Sequence, residues 1–340
     1  LAGLTELVID EAIVEGAVSF ERGPGWVRPW RLPFEEKALF PPQPMTDRGA
    51  LAAGIRLRFR TTSTAITLKL EPVDYEDLEQ QGAFDLVIDG KLIQTIPAVQ
   101  GTSSVAFSPL PAGSKLVEIW MPVRVKVRLR ALVLDEDTTA AVIPDTRPRW
   151  TAYGSSITFC GECHSPSRTW PAIVAIEKDL NLTCFGFPGN CHMEPMVARL
   201  IRDIPADMIS LKIGINIHGG TLHERTFKPA LIGMVKLVRE KQPLVPIAVI
   251  SPISSPNRET KPGSTGLTLQ KMRAELEDAV TRLIEHGDRH IRYFDGRTLL
   301  TENEAPAYLP DGLHPNGDGY ELIGRRFCDL IYPWLAGERR

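Results

Sequence analysis

The stretch TAYGSSITFCGECHS, Thr151 to Ser165, carries three kinds of chemistry. Gly154-Ser155-Ser156 follows an apolar run, and a glycine there permits a sharp turn that presents a serine Oγ beside free backbone N–H groups, as a nucleophile requires. Cys160 and Cys163 have the spacing of a redox pair, and with His164 they spell C-x-x-C-H, a haem-attachment pattern. Three other segments bear on the choice. In LPDGLHPNGDGYELIG, Asp311 and His314 lie three apart, so the carboxylate can hold imidazole Nδ1–H and leave Nε2 free as a base. GFPGNCHMEP contains Gly189, whose amide can approach a bound oxygen because no Cβ intervenes, and GINIHGG contains Asn216, with two amide hydrogens for a developing oxyanion. Each signal is weak alone, since Gly-Ser-Ser is a common loop and turns use glycine and asparagine.

The elements around these segments give them a common location. After DEDTTAAVIPDTRPRW the sequence alternates short apolar runs, RWTAYG, LTCFGF, DMISLKIG, PIAVISPI and IRYFDG, with helical patterns near 168–180, 194–203, 227–241, 268–286 and 317–334. Strand followed by helix, repeated, predicts a parallel sheet covered on both faces, whose chemistry belongs at the carboxyl ends of its strands. The serine, glycine and asparagine segments each follow such a strand, and the Asp-His pair opens the last helix.

Before that boundary the period is two. GIRLRFRTT interleaves Ile55, Leu57 and Phe59 with Arg56, Arg58 and Arg60, and MPVRVKVRLRALVLDED interleaves Val123, Val125, Val127 and Leu129 with Arg124, Lys126, Arg128 and Arg130. Asp89-Gly90 between two apolar runs predicts a tight hairpin. The expectation is an antiparallel β-sandwich over 1–140 followed by an α/β domain over 141–340. The basic faces are expected to be solvated, although a platform for an anionic polysaccharide is the functional alternative. WVRPWRLPFEEKALFPPQP is expected to be an irregular crossing segment with Trp26 and Trp30 as packing anchors.

Composition excludes several classes. Thirty-nine basic against 42 acidic residues, a formal charge of −3 over 340 residues, give no electrostatic footprint for nucleic acid. No apolar window is long enough to cross a membrane, and the acidic N-terminus LAGLTELVIDEAIVEG is unlike a signal peptide. A cytoplasmic location is the expectation, with secretion left open because the chain starts at Leu1. Haem attachment would need an exported apoprotein and an axial partner, and zinc a fuller ligand set than Cys160, Cys163, Cys191, His164 and His192 offer. No metal and no cofactor are expected. Five cysteines in a chain of this size are expected to be mostly free thiols, and a disulfide among Cys160, Cys163 and Cys191 stays open.

Taken together, these residues resemble the SGNH hydrolases, also called GDSL-type esterases, over about residues 148 to 335. The resemblance implies a flavodoxin-like five-stranded sheet, Ser156 as nucleophile, His314 and Asp311 as the acid-base pair, and Ser156 N–H, Gly189 N–H and Asn216 as oxyanion donors. The first half resembles, more loosely, the jelly-roll domain that precedes the catalytic domain in one branch of the family, with FDLVIDGK nearest to its recurring Gly-x-Asp-Leu-Tyr segment. Two positions depart from the family pattern: Ser155 stands where the family name has Asp, which makes it a rival nucleophile, and Ile217 follows Asn216 where Asp is common. The implied activity is hydrolysis of short-chain, O-acetyl-type esters of a carbohydrate or natural product, with activity rising as a histidine of reference pKa about 6.5 loses its proton. Transfer of the acyl group to another acceptor, or glycan binding with an unproductive site, are the alternatives. A homo-oligomer through the β-domain stays open. His192, His218 and His223 follow site segments and are candidates for substrate contact, although a surface or core-edge histidine is the commoner case, and the loop from Pro252 to Thr265 is long enough to border the pocket.

Overall fold

Successive side chains of an extended chain point to opposite faces, so the two-residue period of the first half builds sheets with one apolar side. The computed structural model describes residues 3–75 and 81–337. They divide into two compact units, one comprising residues up to 146 together with 164–168, the other 147–163 and 169 onward.

In the first unit the strands are β1 (Leu4–Val8), β2 (Val14–Glu15), β3 (Ser19–Gly23), β4 (Trp26–Trp30), β5 (Arg56–Thr61), β6 (Ile66–Leu70), β7 (Gly82–Ile88), β8 (Lys91–Ala98), β9 (Ser104–Phe107), β10 (Lys115–Trp120) and β11 (Leu129–Asp135), with one short helix, α1 (Gln43–Gly49). One sheet runs β3-β4-β11-β6-β9 with β1 also on β11, and the other runs β2-β5-β10-β7-β8. Both are antiparallel, and their apolar residues, among them Leu57, Phe59, Leu86 and Ile119 from one sheet and Leu68, Phe107, Leu132 and Leu134 from the other, form a single core. Asp89 and Gly90 take φ of 48° and 77° and join β7 to β8 as the expected tight turn.

Three expectations are corrected here. Trp26–Trp30 is a strand rather than an irregular crossing: it pairs with β3 along its length but meets β11 only at Val27, so the missing N–H of Pro29 breaks no ladder on that side. Arg56 and Arg58 are not solvated, at 0% and 9% exposure; Glu15 of β2 lies 2.6 Å from Arg56 and 3.5 Å from Arg58, Glu118 of β10 lies 3.7 Å from Arg58, and the Trp120 ring stacks on the Arg56 guanidinium. Residues 122–128 keep the predicted alternation of burial but join no ladder, because the chain turns where Val125 N–H bonds Pro122 C=O. The inclusion of 164–168 in this unit has a specific cause: the fully buried Asp85 carboxylate accepts hydrogen bonds from Ser165 Oγ (2.6 Å), Ser167 N–H (2.8 Å), Ser167 Oγ (2.6 Å) and Thr95 Oγ1 (2.6 Å).

The second unit follows the strand–helix alternation of its sequence. Its strands β12 (Arg149–Gly154), β13 (Asn181–Gly186), β14 (Met208–Lys212), β15 (Ile247–Ile250) and β16 (Ile291–Phe294) form one parallel sheet in the order β13-β12-β14-β15-β16. The helices are α2 (Ser156–Phe159), α3 (Trp170–Glu177), α4 (Pro195–Asp203), α5 (Ile215–His218), α6 (Glu224–Arg239), α7 (Leu269–Glu285), α8 (Ala305–Tyr308), α9 (Gly317–Leu330) and α10 (Tyr332–Leu335). β14 and β15 are buried throughout, which explains why their sequences read as continuous apolar runs. Trp150 of β12, Trp170 of α3 and Phe327 of α9 pack with ring centroids 5.1–5.7 Å apart and fix α3 and α9 on the sheet. The strand order is the flavodoxin-like one, with its topological switch beside β12, so the segments after β12, β13 and β14 emerge together at one sheet edge. None of the described helices is long and apolar enough to cross a membrane.

Candidate active site

β12 ends at Gly154, in register with Gly186 of β13 and Lys212 of β14. Ser155 caps α2: its Oγ accepts from Ile157 N–H at 3.2 Å, and it is 1% exposed. Ser156 is therefore the first helical residue. A Cβ on Gly186 would fall 2.3 Å from Phe159 N, so glycine is required for α2 to lie this close to β13.

Ser156 Oγ lies 3.0 Å from His314 Nε2, and His314 Nδ1 lies 2.7 Å from Asp311 Oδ2. A carboxylate only accepts, so Nδ1 carries the proton and Nε2 is the acceptor for the serine hydroxyl. Asp311 Oδ1 also accepts from Leu313 N–H (2.8 Å) and His314 N–H (2.6 Å). Burial alone would raise the Asp311 carboxyl, but the bonds from His314 N–H, its imidazole and Leu313 N–H outweigh it and hold the carboxyl below its ordinary value. The loop is anchored from two sides. Gly312 C=O accepts from Ser255 Oγ (2.6 Å) and Arg258 Nη1 (3.2 Å), and Asn316 Oδ1 caps α9 through Gly319 N–H (2.9 Å).

Ser255 and Arg258 carry no signal of this role beyond their place in the loop after β15, since the carbonyl they hold lies more than fifty residues away.

Gly189 occupies a tight turn in which Asn190 N–H bonds Phe187 C=O at 3.0 Å. Pro188 sets the first corner and Gly189, at φ +69°, the second, as a type II turn requires. Asn190 Nδ2 donates to Pro188 C=O (2.7 Å), so the N–H across that peptide, that of Gly189, points the opposite way. Asn216 Oδ1 accepts from Cys191 N–H (3.1 Å), which ties the two loops together and turns Asn216 Nδ2 outward. Among the described residues, the N–H groups of Ser156 and Gly189 and the Nδ2 of Asn216 have no partner. They are donors available to an incoming oxygen.

The remaining candidates are engaged elsewhere. His192 bonds Gly189 C=O and Thr221, His218 Nε2 faces Lys261 C=O at 3.0 Å, and His223 caps α6. All five cysteines are free thiols. Burial raises the Cys160 and Cys191 thiols well above their ordinary range, which leaves both protonated and poor in redox exchange. Among the described residues no group of His, Cys, Asp and Glu could hold a metal ion. A cleft of 660 Å³ lined by residues such as Lys236, Leu244 and Arg289 lies at the amino edge of the sheet, before β15 and β16, and shares no residue with the site.

Lys212, 3% exposed, has no partner for its ammonium among the described residues, and burial lowers it to about 8 from 10.5. Between those values the unfolded chain binds the proton and the folded chain does not, so stability rises with pH across this window. The rise is worth about 3 kcal/mol, and below pH 8 the full penalty persists. Lys212→Met is accordingly expected to stabilise the protein in denaturant unfolding at pH 7, with the gain shrinking toward pH 10. A variant less stable than wild type at pH 7 would contradict this.

Comparison with known proteins finds a match for each half of the chain. Residues 152–322 match the GDSL-like lipase/acylhydrolase family, and residues 13–130 match the N-terminal domain of SsfX3. Among solved structures, the salicylyl-acyltransferase SsfX3 from a tetracycline biosynthetic pathway is 30% identical, with 99% of each chain covered and a TM-score of 0.90. A protein described as a GDSL-like lipase from Bacteroides ovatus is 20% identical, with 98% of each chain covered and a TM-score of 0.80. A family two carbohydrate esterase from Clostridium thermocellum, in complex with cellohexaose, is 15% identical over 93% of this chain and 97% of that one, with a TM-score of 0.64. The latter two likenesses speak for the fold alone. No curated protein sequence matches the chain.

Proposed function

From a chain that belongs to the GDSL-like lipase/acylhydrolase family, with an SsfX3-type N-terminal domain, we propose a serine esterase that hydrolyses short-chain acyl esters, O-acetyl groups of a carbohydrate or natural product foremost, through an acyl-enzyme on Ser156. The observation that carries this reading is the hydrogen-bonded chain Ser156–His314–Asp311, with spacings of 3.0 and 2.7 Å. His314 Nε2 takes the hydroxyl proton as Oγ attacks the ester carbonyl, and the imidazolium is held by the Asp311 carboxylate. Negative charge then develops on the carbonyl oxygen, where Ser156 N–H, Gly189 N–H and Asn216 Nδ2 donate to it. Collapse of the tetrahedral species expels the alcohol, which leaves with the proton from His314. Water repeats the sequence on the acyl-enzyme and releases the acid.

One oxyanion donor is worth about 3–4 kcal/mol in the transition state. Asn216→Ala is therefore expected to lower kcat for p-nitrophenyl acetate by about 10²–10³-fold with KM little changed. A rise in KM alone would assign Asn216 to substrate binding instead. Assay of acetate against longer acyl esters, with Ser156→Ala as control, tests the acyl preference.

The likeness to a salicylyl-acyltransferase at 30% identity favours a second reading, in which an alcohol rather than water intercepts the acyl-enzyme. Both routes share every step up to that intermediate. Measuring p-nitrophenol release against free acid in the presence of sugar and aromatic alcohols separates them: equal amounts mean hydrolysis, and a deficit of acid matched by new ester means transfer.

A further inference from the structure

We propose that His192 is a positioning residue that clamps the Gly189 turn so that the Gly189 N–H faces the reacting carbonyl oxygen, an inference that rests on the serine-esterase reading above. His192 Nε2 lies 2.9 Å from Gly189 C=O, and a carbonyl only accepts, so Nε2 carries the hydrogen. Nδ1 of the neutral ring is then an acceptor, and Thr221 Oγ1, 2.8 Å away, donates to it. The imidazole thus bridges the loop after β13 to the segment between α5 and α6, and its tautomer is dictated by both neighbours.

Gly189, at φ +69° and with nothing within 4 Å of the place its Cβ would take, is the residue of the turn with the widest backbone freedom. Its orientation depends on the peptides to either side. Asn190 Nδ2 holds the preceding peptide by Pro188 C=O at 2.7 Å, and the following one is held at both ends, by Asn190 N–H on Phe187 C=O at 3.0 Å and by His192 on Gly189 C=O. Without His192 the following peptide keeps only its Asn190 N–H bond, and the turn at Gly189 can tilt its N–H away from the oxyanion. His192 N–H also reaches Glu194 Oε2 at 3.3 Å, and burial raises that carboxyl. The ring itself is only half-buried, so truncating it leaves the core intact.

Misplacement of a catalytic group by about 1 Å costs up to about 10²-fold in rate. His192→Ala is expected to lower kcat for p-nitrophenyl acetate about tenfold or more with KM within about twofold. His192→Gln, whose amide N–H can reach Gly189 C=O, is expected to recover most of that loss. Thr221→Val, which removes the donor to Nδ1, should fall between. Nitrogen-15 NMR of the imidazole in the Ser156→Ala protein gives a readout that needs no turnover: the Nε2–H tautomer is expected at His192. The Nδ1–H tautomer, a wild-type kcat in His192→Ala, a rise in KM alone, or a glutamine variant no better than alanine would each overturn the proposal. Failure of the esterase reading is seen separately, as wild-type turnover that is absent or survives Ser156→Ala, and the NMR tautomer still decides the clamp.

Discussion

Ser156→Ala is expected to reduce ester turnover by about 10⁴–10⁶-fold, to the level that oxyanion donors alone sustain. The size of the effect follows from the lack of a substitute. Ser155, adjacent in sequence, is 1% exposed, and its Oγ is committed to capping α2 through Ile157 N–H. Its hydroxyl cannot reach a substrate without uncapping the helix that presents residue 156. Because the cap resides on Ser155, alanine at 156 removes the nucleophilic oxygen without removing the helix start, and circular dichroism should be unchanged. Ser155→Ala provides the converse. It is expected to lose about 1 kcal/mol of stability with much of the activity retained. Rates measured with p-nitrophenyl acetate check both, and a Ser156→Ala protein with a few per cent of wild-type kcat would assign the nucleophile elsewhere.

His314→Ala is expected to be nearly as severe, about 10⁴-fold or more in kcat, because Ser156 then has no acceptor for its proton. Among the described residues the acceptor that faces Ser156 Oγ is His314 Nε2, at 3.0 Å. Asp311 acts through this ring. Its carboxylate accepts three hydrogen bonds, two of them from the backbone of its own loop, so it sets both the tautomer of His314 and the shape of the 311–314 turn. Its side chain is half-exposed, and water can replace part of what it supplies. Asp311→Asn is therefore expected to retain more activity than His314→Ala. The order Ser156→Ala, His314→Ala, Asp311→Asn, from least to most active, is checked by kcat at constant pH; an aspartate variant weaker than the histidine variant would contradict it.

The parallel sheet was legible because short apolar runs alternate with helical patterns, and its central strands β14 and β15, buried on both faces, read as continuous apolar runs. The site was legible because its residues follow those ends in chain order. What the sequence hid depends on partners distant along the chain. Arg56 and Arg58 alternate like a solvated face, but Glu15 and Glu118 arrive from β2 and β10 to pair with them, and only the pairing reveals the burial. Ser255 and Arg258 support the His314 loop through a carbonyl, which carries no sequence signature. His192 was open to reading as a substrate contact or as a surface histidine, and neither reading could show that its ring turns back onto the Gly189 carbonyl. Residues 164–168 sit within a stretch of the α/β sequence but are captured by Asp85, a carboxylate that FDLVIDGK displays without indicating what it will bind.

The most direct measurement is peptide mass spectrometry after reaction with an alkyl p-nitrophenyl phosphonate, which leaves a stable tetrahedral mimic on an activated serine. A single adduct on Ser156, formed at least a hundredfold more slowly in His314→Ala, is the predicted result, about what loss of a general base costs. An adduct on Ser155 or on another residue, or ester turnover that continues in wild-type protein with residue 156 unmodified, would contradict the account.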